Sequence, residues 1–242
     1  MKTAVILAAG MGTRLRSITN NEIPKPFLEI NGKSLIERSI ENLQDSGIDK
    51  IIIVVGHLKN FFEKLKTKYS GIILVENIDY ATTSSMASFY CAKHFIEEDL
   101  LLLEGDLIYE KLGLKELINF KERDAILLSE DKKNSDDYYY ELLEDRITST
   151  LKHELTGKEE KIGELTGINK ISKELYFEMC KLFENKKNPK LGYEYCLAEL
   201  AEKIKIPYLL LDGFLWSEID DEFQLNKVIK TIYPEIQKKG EV

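Results

Sequence analysis

Thr3-Ala4-Val5-Ile6-Leu7, followed at once by Ala8-Ala9-Gly10-Met11-Gly12-Thr13-Arg14, is the stretch that decides the fold. The first five residues are aliphatic or β-branched with no polar alternation, the pattern of a strand buried on both faces. The next seven form a glycine-containing loop at that strand's carboxyl end, where open parallel sheets hold their ligands. Gly10 and Gly12 let backbone N–H groups approach an anion closely, while Thr13 adds a hydroxyl and Arg14 a fixed cationic fork. A plain tight turn would use the same residues, and the loop alone does not choose. Two phosphate motifs are absent. Position 15 is Leu15 where a dinucleotide fingerprint has its third glycine, and no G-x-x-x-x-G-K-[ST] occurs.

Working outward, Lys50–Val55, Ile72–Glu76 and Asp99–Glu104 read as further strands of the same buried kind. Amphipathic stretches separate them. Leu35, Ile36, Ile40 and Leu43 make one helical face, opened by the capping-box spacing Ser34-Leu35-Ile36-Glu37 and closed by Gly47. Phe61, Phe62 and Leu65 make another, and Met86, Phe89 and Tyr90 a third. Strand–helix–strand alternation implies right-handed crossovers and a mainly parallel, doubly wound sheet. After Asp124 the grammar changes. Ala125–Leu128, Tyr138–Leu143, Ile147–Leu151 and Leu165–Ile171 are strand-like with little helix between them, and Glu144-Asp145 reads as a hairpin turn, which predicts antiparallel pairing. Helices follow at about Lys173–Asn185 and Gly192–Lys203, then a strand at Pro207–Leu211 and a helix with Leu225, Val228, Ile229 and Ile232 on one face. The expectation is a single α/β domain over 1–242: a doubly wound part to about 123, and an antiparallel part from 124 that forms a wall or lid on it.

The 242 residues carry 34 Lys plus Arg against 42 Asp plus Glu, a formal net charge of −8. That balance disfavours nucleic acid as a partner, since a polyanion needs clustered cations. The apolar run Ala4–Ala9 is too short to span a bilayer and lacks signal-peptide flanks, so the chain reads as cytoplasmic and free of membrane. Cys91, Cys180 and Cys196 have no C-x-x-C spacing and read as core filler in a reducing compartment. His57, His94 and His153 show no metal spacing, and only His57 lies near the glycine loop. Oligomeric state is not legible. The polar ending Gln237–Val242 suits a terminus or a boundary with a further domain.

Pro24-Lys25-Pro26 holds a lysine between two residues that stiffen the backbone. Beside an anion loop it suits nucleotide phosphates; alone it would be a solvated loop lysine. Together, LAAGMGTRL and PKPFLEINGKSLIE resemble the signature of sugar-nucleotide-type nucleotidyltransferases, which have a Rossmann-like fold. SSMASFY, LLLEGDLIYE, GELTGINKI, LGYEYCLAELA and WSEIDDE extend the resemblance to the branch that activates phosphorylated or phosphonylated amino-alcohols with CTP. Within it the chain is most similar to 2-aminoethylphosphonate cytidylyltransferases, of phosphonate biosynthesis, with bacterial phosphocholine cytidylyltransferases next.

The resemblance implies roles. The nucleotide would lie on Leu7, Ala8, Ala9, Gly10, Met11, Gly12 and Thr13, with Ser84 and Ser85 at its base, where serine hydroxyls and a helix start offer polar groups; N-capping explains the same serines. Arg14 and Lys25 would be catalytic. Asp106 and Asp220 would hold Mg²⁺, whose hard-oxygen preference two carboxylates satisfy. A turn aspartate and a helix cap are the plain alternatives, but Asp221 has Gln224 at the capping-box position and is the better cap. Lys152 matches a lysine that reaches the acceptor's phosphonate or phosphate, though an exposed strand lysine is the plain reading. Glu164 and Glu194 are candidates for the acceptor's cationic end. Trp216 either faces the ligand or packs. Tyr138-Tyr139-Tyr140 alternates across its strand, so one face lines the acceptor pocket or the core. The implied partners are CTP and a small phosphonate or phosphate. An inactive nucleotide-binding relative would be expected to lack Lys25, Asp106 or Asp220, and all are present.

Overall fold

The protein's computed structural model describes residues 1–130, 138–152 and 162–241, with 150–152 followed through their backbone alone. Its strands include β1 (Thr3–Ala8), β2 (Lys50–Val55), β3 (Ile72–Glu76), β4 (Leu100–Glu104), β5 (Leu107–Tyr109) and β6 (Ala125–Ser129). They continue with β7 (Tyr138–Leu143), β8 (Arg146–Lys152), β9 (Ile162–Ile171), β10 (Tyr208–Leu211) and β11 (Trp216–Glu218). Helices that position the site are α1 (Leu35–Asp45), α2 (Ser85–Cys91), α3 (Leu112–Asn119), α4 (Lys173–Lys186), α5 (Tyr193–Ala201) and α6 (Glu222–Lys227).

Among the described residues, one mixed sheet runs in the order β8-β7-β9-β4-β1-β2-β3, with β6 paired to β9 and β10 paired to β6. β1 lies parallel between β2 and β4, with Val5 level with both Ile52 and Leu102. Period-two alternation then sorts the side chains. Val5, Ile52, Val54 and Leu102 meet Met86 and Phe89 of α2 and Tyr176 of α4 on one face. Ala4, Ile6, Ile53 and Leu103 meet Ile36, Ile40 and Leu43 of α1 and Leu114 and Leu117 of α3 on the other. Each fully buried aliphatic chain contributes about 1.5–3 kcal/mol, so the centre of the sheet is a rigid base for the loops at its end. β3, at the edge, is only half-buried, which departs from the two-sided burial expected of it. No helix among the described residues is long and apolar enough to cross a membrane. Cys180 and Cys196 are core residues, and burial pushes the Cys180 thiol up to about 11.

Among the described residues, the antiparallel strands continue the main sheet. β9 pairs antiparallel with β4, β6 and β7, which makes the second half an extension of the same sheet. Its register on β6 shifts between Leu165 and Asn169. Gly167 sits inside that shift with φ +74°, and a Cβ there would come within 3.2 Å of the Glu104 side chain. The glycine thus allows the bend and the close approach together.

The last helical face also differs from expectation. α6 passes into a π-helical turn, Val228–Ile232, before Tyr233–Lys238. The wider turn rotates Ile229 out of the buried row, leaving it 49% exposed while Val228 is fully buried.

Candidate active site

The ends of β1 and β4 place two adjoining cavities, of about 370 Å³ and 240 Å³, that share Leu7, Gly10 and Asp106. The smaller is the glycine-loop cavity. Gly12, at φ +56°, lets the chain turn over Lys25, and a Cβ there would sit 3.3 Å from the lysine's own. Leu15 N–H closes the turn onto Gly12 O at 3.0 Å. Ala8, Thr13, Arg14, Lys25, Asp106 and Asp220 also line this space. Met11 does not; it lies outward and 37% exposed.

Lys25 is the hub. Its ammonium pairs with both Asp106 and Asp220 and lies 3.8 Å from Glu218, while Arg14 holds the other oxygen of Asp220. Burial works to lower the Lys25 pKa, but the carboxylates of Asp106, Asp220 and Glu218 outweigh it and hold the ammonium charged. Asp220 is drawn below its usual value, since Lys25 and Arg14 overcome its own burial. Asp221 is the α6 cap, accepting from Gln224 N–H at 2.8 Å, as its spacing predicted. Gln224 returns its side-chain oxygen to the Asp220 N–H, one residue earlier than in a closed capping box. That contact aims Asp220 at the loop.

Two acids that the sequence reading passed over stand beside this hub. Glu104 ends β4 and Glu218 ends β11, and with Asp106 they bring carboxylate oxygens within 4.8 Å of one another. Burial and the neighbouring Asp106 push Glu104 up to about 8. Glu218 is raised well above its ordinary value by burial first, then by Asp106 and Glu104. Asp106 Oδ1 is buried with no hydrogen-bond partner among the described residues. Acid outnumbers base, every donor is a hard oxygen and one buried oxygen is orphaned, so a divalent Mg²⁺-type ion fits this corner.

The larger cavity reaches from Gly10 to Glu194, Trp216 and Glu218. Trp216 faces it while its indole N–H donates to Ser129 Oγ at 2.9 Å, so it packs and lines at once. Tyr138 lines the cavity, and Tyr140 turns into the core, where its hydroxyl donates to Glu194 O at 2.9 Å. Tyr193 donates to Glu104 Oε1 at 2.6 Å. Glu164 is buried beside Ser129 and does not reach the cavity. Lys152 lies on β8 by its backbone; its side chain is outside the described residues. His57 is held by Asn21 at 3.1 Å and stays out of both cavities.

Ser84 and Ser85 line the larger cavity but differ from expectation in how they are used. Ser84 is the α2 N-cap yet makes no side-chain capping bond. Ser85 Oγ donates to Glu194 at 3.2 Å and accepts from Tyr193 N–H at 2.9 Å, tying α2 to α5. Two N–H groups of the helix start are already used, Ser84 N–H donating to Pro189 O and Met86 N–H to Leu191 O.

The family model described as MobA-like NTP transferase domain matches residues 4–167. Among curated relatives, a choline-phosphate cytidylyltransferase of Streptococcus pneumoniae is 41% identical over 114 residues, covering 47% of this chain and 49% of that protein. A 2-aminoethylphosphonate cytidylyltransferase of Lancefieldella rimae is 38% identical over 106 residues, 43% of each chain. The chain thus spans about half the length of the curated relatives it matches. Among solved structures, the inositol-1-phosphate CTP transferase from T. maritima superposes with a TM-score of 0.82 at 22% identity, covering 98% of this chain and 97% of that one. The CTP:phosphocholine cytidylyltransferase from Streptococcus pneumoniae superposes at 0.80 with 25% identity, covering 95% and 99%.

Proposed function

For a chain that belongs to the MobA-like NTP transferase domain family, we propose Mg²⁺-dependent transfer of CMP from CTP to a small phosphonate or phosphate, with 2-aminoethylphosphonate as the acceptor. An acceptor oxygen attacks the α-phosphorus in line, the bond to the bridging oxygen breaks, and pyrophosphate leaves. The observation that carries this reading is the Lys25–Asp106–Asp220–Arg14 constellation, set between a glycine loop and a second cavity walled by carboxylates. No side-chain nucleophile is needed, since the acceptor is itself ionised near neutral pH, as a phosphate monoester is.

The chain's own work is positioning and charge neutralisation. Gly10, Gly12 and Thr13 cradle phosphate oxygens, and Lys25 and Arg14 turn from the aspartates to the triphosphate. Asp106 and Asp220 would hold Mg²⁺, which when bound would supply further neutralisation of phosphate charge. Lys152 is assigned to the acceptor's anionic end by the family resemblance alone.

The cationic end decides the acceptor. A primary ammonium carries three N–H donors and wants carboxylates; a trimethylammonium has none and wants aromatic faces. Glu104, Glu194 and Glu218 line the larger cavity alongside Tyr80, Tyr138 and Trp216. The acid-rich wall favours the primary amine, and the Lancefieldella rimae relative's name agrees; the Streptococcus pneumoniae relative's name keeps phosphocholine as the second reading. Pyrophosphate release from CTP and Mg²⁺, with both acceptors compared by kcat/KM, tests this. A preference for phosphocholine would move the acceptor and leave the transfer standing. No release with any acceptor would favour a nucleotide-binding relative without activity.

A further inference from the structure

We infer that Asn77 fixes the hydrogen-bond polarity of Thr83 and Ser88, and that this pair reads cytosine against uracil; the inference rests on a cytidine nucleotide entering the cavity described above. Asn77 directly follows β3 and is 4% exposed. Its Oδ1 accepts from Asp79 N–H at 3.0 Å. A backbone N–H only donates, so this contact settles which end of the amide is oxygen. The amide nitrogen is then committed to two hydroxyls, Thr83 Oγ1 and Ser88 Oγ, each at 3.0 Å.

The consequences for the two hydroxyls differ. Thr83 Oγ1 also lies 3.0 Å from Asp79 O. A carbonyl cannot donate, and two bare oxygens would repel at that distance, so the threonine hydrogen points at Asp79. Thr83 has one lone pair left and is an acceptor only. The Ser88 hydroxyl makes one hydrogen bond among the described residues, as acceptor from Asn77. Its hydrogen remains for the cavity, which both residues line together with Gly10 of the phosphate loop.

Held side by side on one amide nitrogen, the pair offers an acceptor next to a donor. Cytosine presents the complement, an amino group at C4 beside the N3 acceptor. Uracil presents a carbonyl at C4 beside an N3–H. Ser88 can rotate to serve either N3, but Thr83 cannot become a donor without losing Asp79. Opposite uracil it would set oxygen lone pairs against oxygen lone pairs. The discrimination therefore falls on Thr83, with Asn77 as its positioning residue. Ser85, expected at the base, has its hydroxyl hydrogen on Glu194 instead.

The test is the affinity of the full-length chain for CTP and for UTP, measured by calorimetry without acceptor. The wild type should prefer CTP. Thr83→Val should lower the CTP:UTP ratio by on the order of tenfold, because a site built for a hydrogen bond loses its penalty along with its partner. Thr83→Ser should keep the ratio. Asn77→Asp should also collapse it, since a carboxylate accepts where the amide donated and draws both hydroxyl hydrogens to itself. Ser88→Ala should weaken both nucleotides and leave the ratio. If Asn77→Asp does not fold, the Val and Ser variants of Thr83 decide alone. A wild type without CTP preference, or a folded Thr83→Val with the wild-type ratio, overturns the inference. Lack of turnover in the pyrophosphate assay bears on the transferase reading alone, because the binding ratio needs no catalysis.

Discussion

Lys25 and Asp220 were expected at the site from the family resemblance, with Pro24-Lys25-Pro26 beside a glycine loop and the better cap at Asp221 as local support. Glu104 was not, because an acid after Leu100-Leu101-Leu102-Leu103 reads as the end of a strand. Only the folded chain, in which β11 pairs with β5 just beyond the end of β4, brings Glu218 to Glu104. The available hint was alternation: Trp216, Glu218 and Asp220 stand two apart, as residues on one face of an extended segment do. At this scale Asp106→Asn and Asp220→Asn, nearly isosteric, should each abolish pyrophosphate release while far-ultraviolet dichroism is unchanged. Near-normal turnover of both at saturating Mg²⁺ would sink their role. Lys25→Ala should lower kcat by on the order of 10²-fold, the usual loss when one preorganised donor to the transition state is removed. An effect confined to KM would mark a contact made equally in ground and transition states.

Elements carry the next level. The capping box at Ser34 was readable and is made: its hydroxyl accepts from Glu37 N–H while the Glu37 carboxylate accepts from Ser34 N–H, each at 3.4 Å. The π turn at Val228–Ile232 was not, because Leu225, Val228, Ile229 and Ile232 fit an α-helical face equally well. The docking of α2 on α5 was hidden for a different reason. Ser85 and Tyr193 lie 108 positions apart, and no local pattern announces their bond. Ser85→Ala removes a hydroxyl that both donates and accepts, so it should cost about 1–3 kcal/mol. Urea unfolding would show this as a lower midpoint at an unchanged slope. An unchanged midpoint would mean that apolar packing alone holds the two helices.

Across the whole molecule, the two halves are also joined by charge. Arg123 bridges Asp99 and Glu174, and Asp99 further accepts from Lys173 N–H at 3.0 Å. The Arg123 hydrogen bond holds the Asp99 carboxyl below its usual value against partial burial. Its folded pKa is thus lower than its unfolded value of about 3.9, so the bridge stabilises above that pH and is lost as pH falls through the folded value. Asp124 runs the other way, raised by burial. Removing Arg123 isolates the first effect: Arg123→Ala should flatten the fall of Tm between about pH 5 and pH 3, and an acid limb as steep as the wild type's would refute the assignment. The Lys25–Asp220 contact spans 195 positions of sequence, and that separation has a consequence for a polypeptide still being made. The glycine loop, Lys25 and Asp106 leave the ribosome more than 100 residues ahead of Glu218 and Asp220. A product of stalled translation therefore carries Arg14 and Lys25 without Glu218 and Asp220, the carboxylates that face them here. The constellation therefore exists only once both ends of that span have been made and have met.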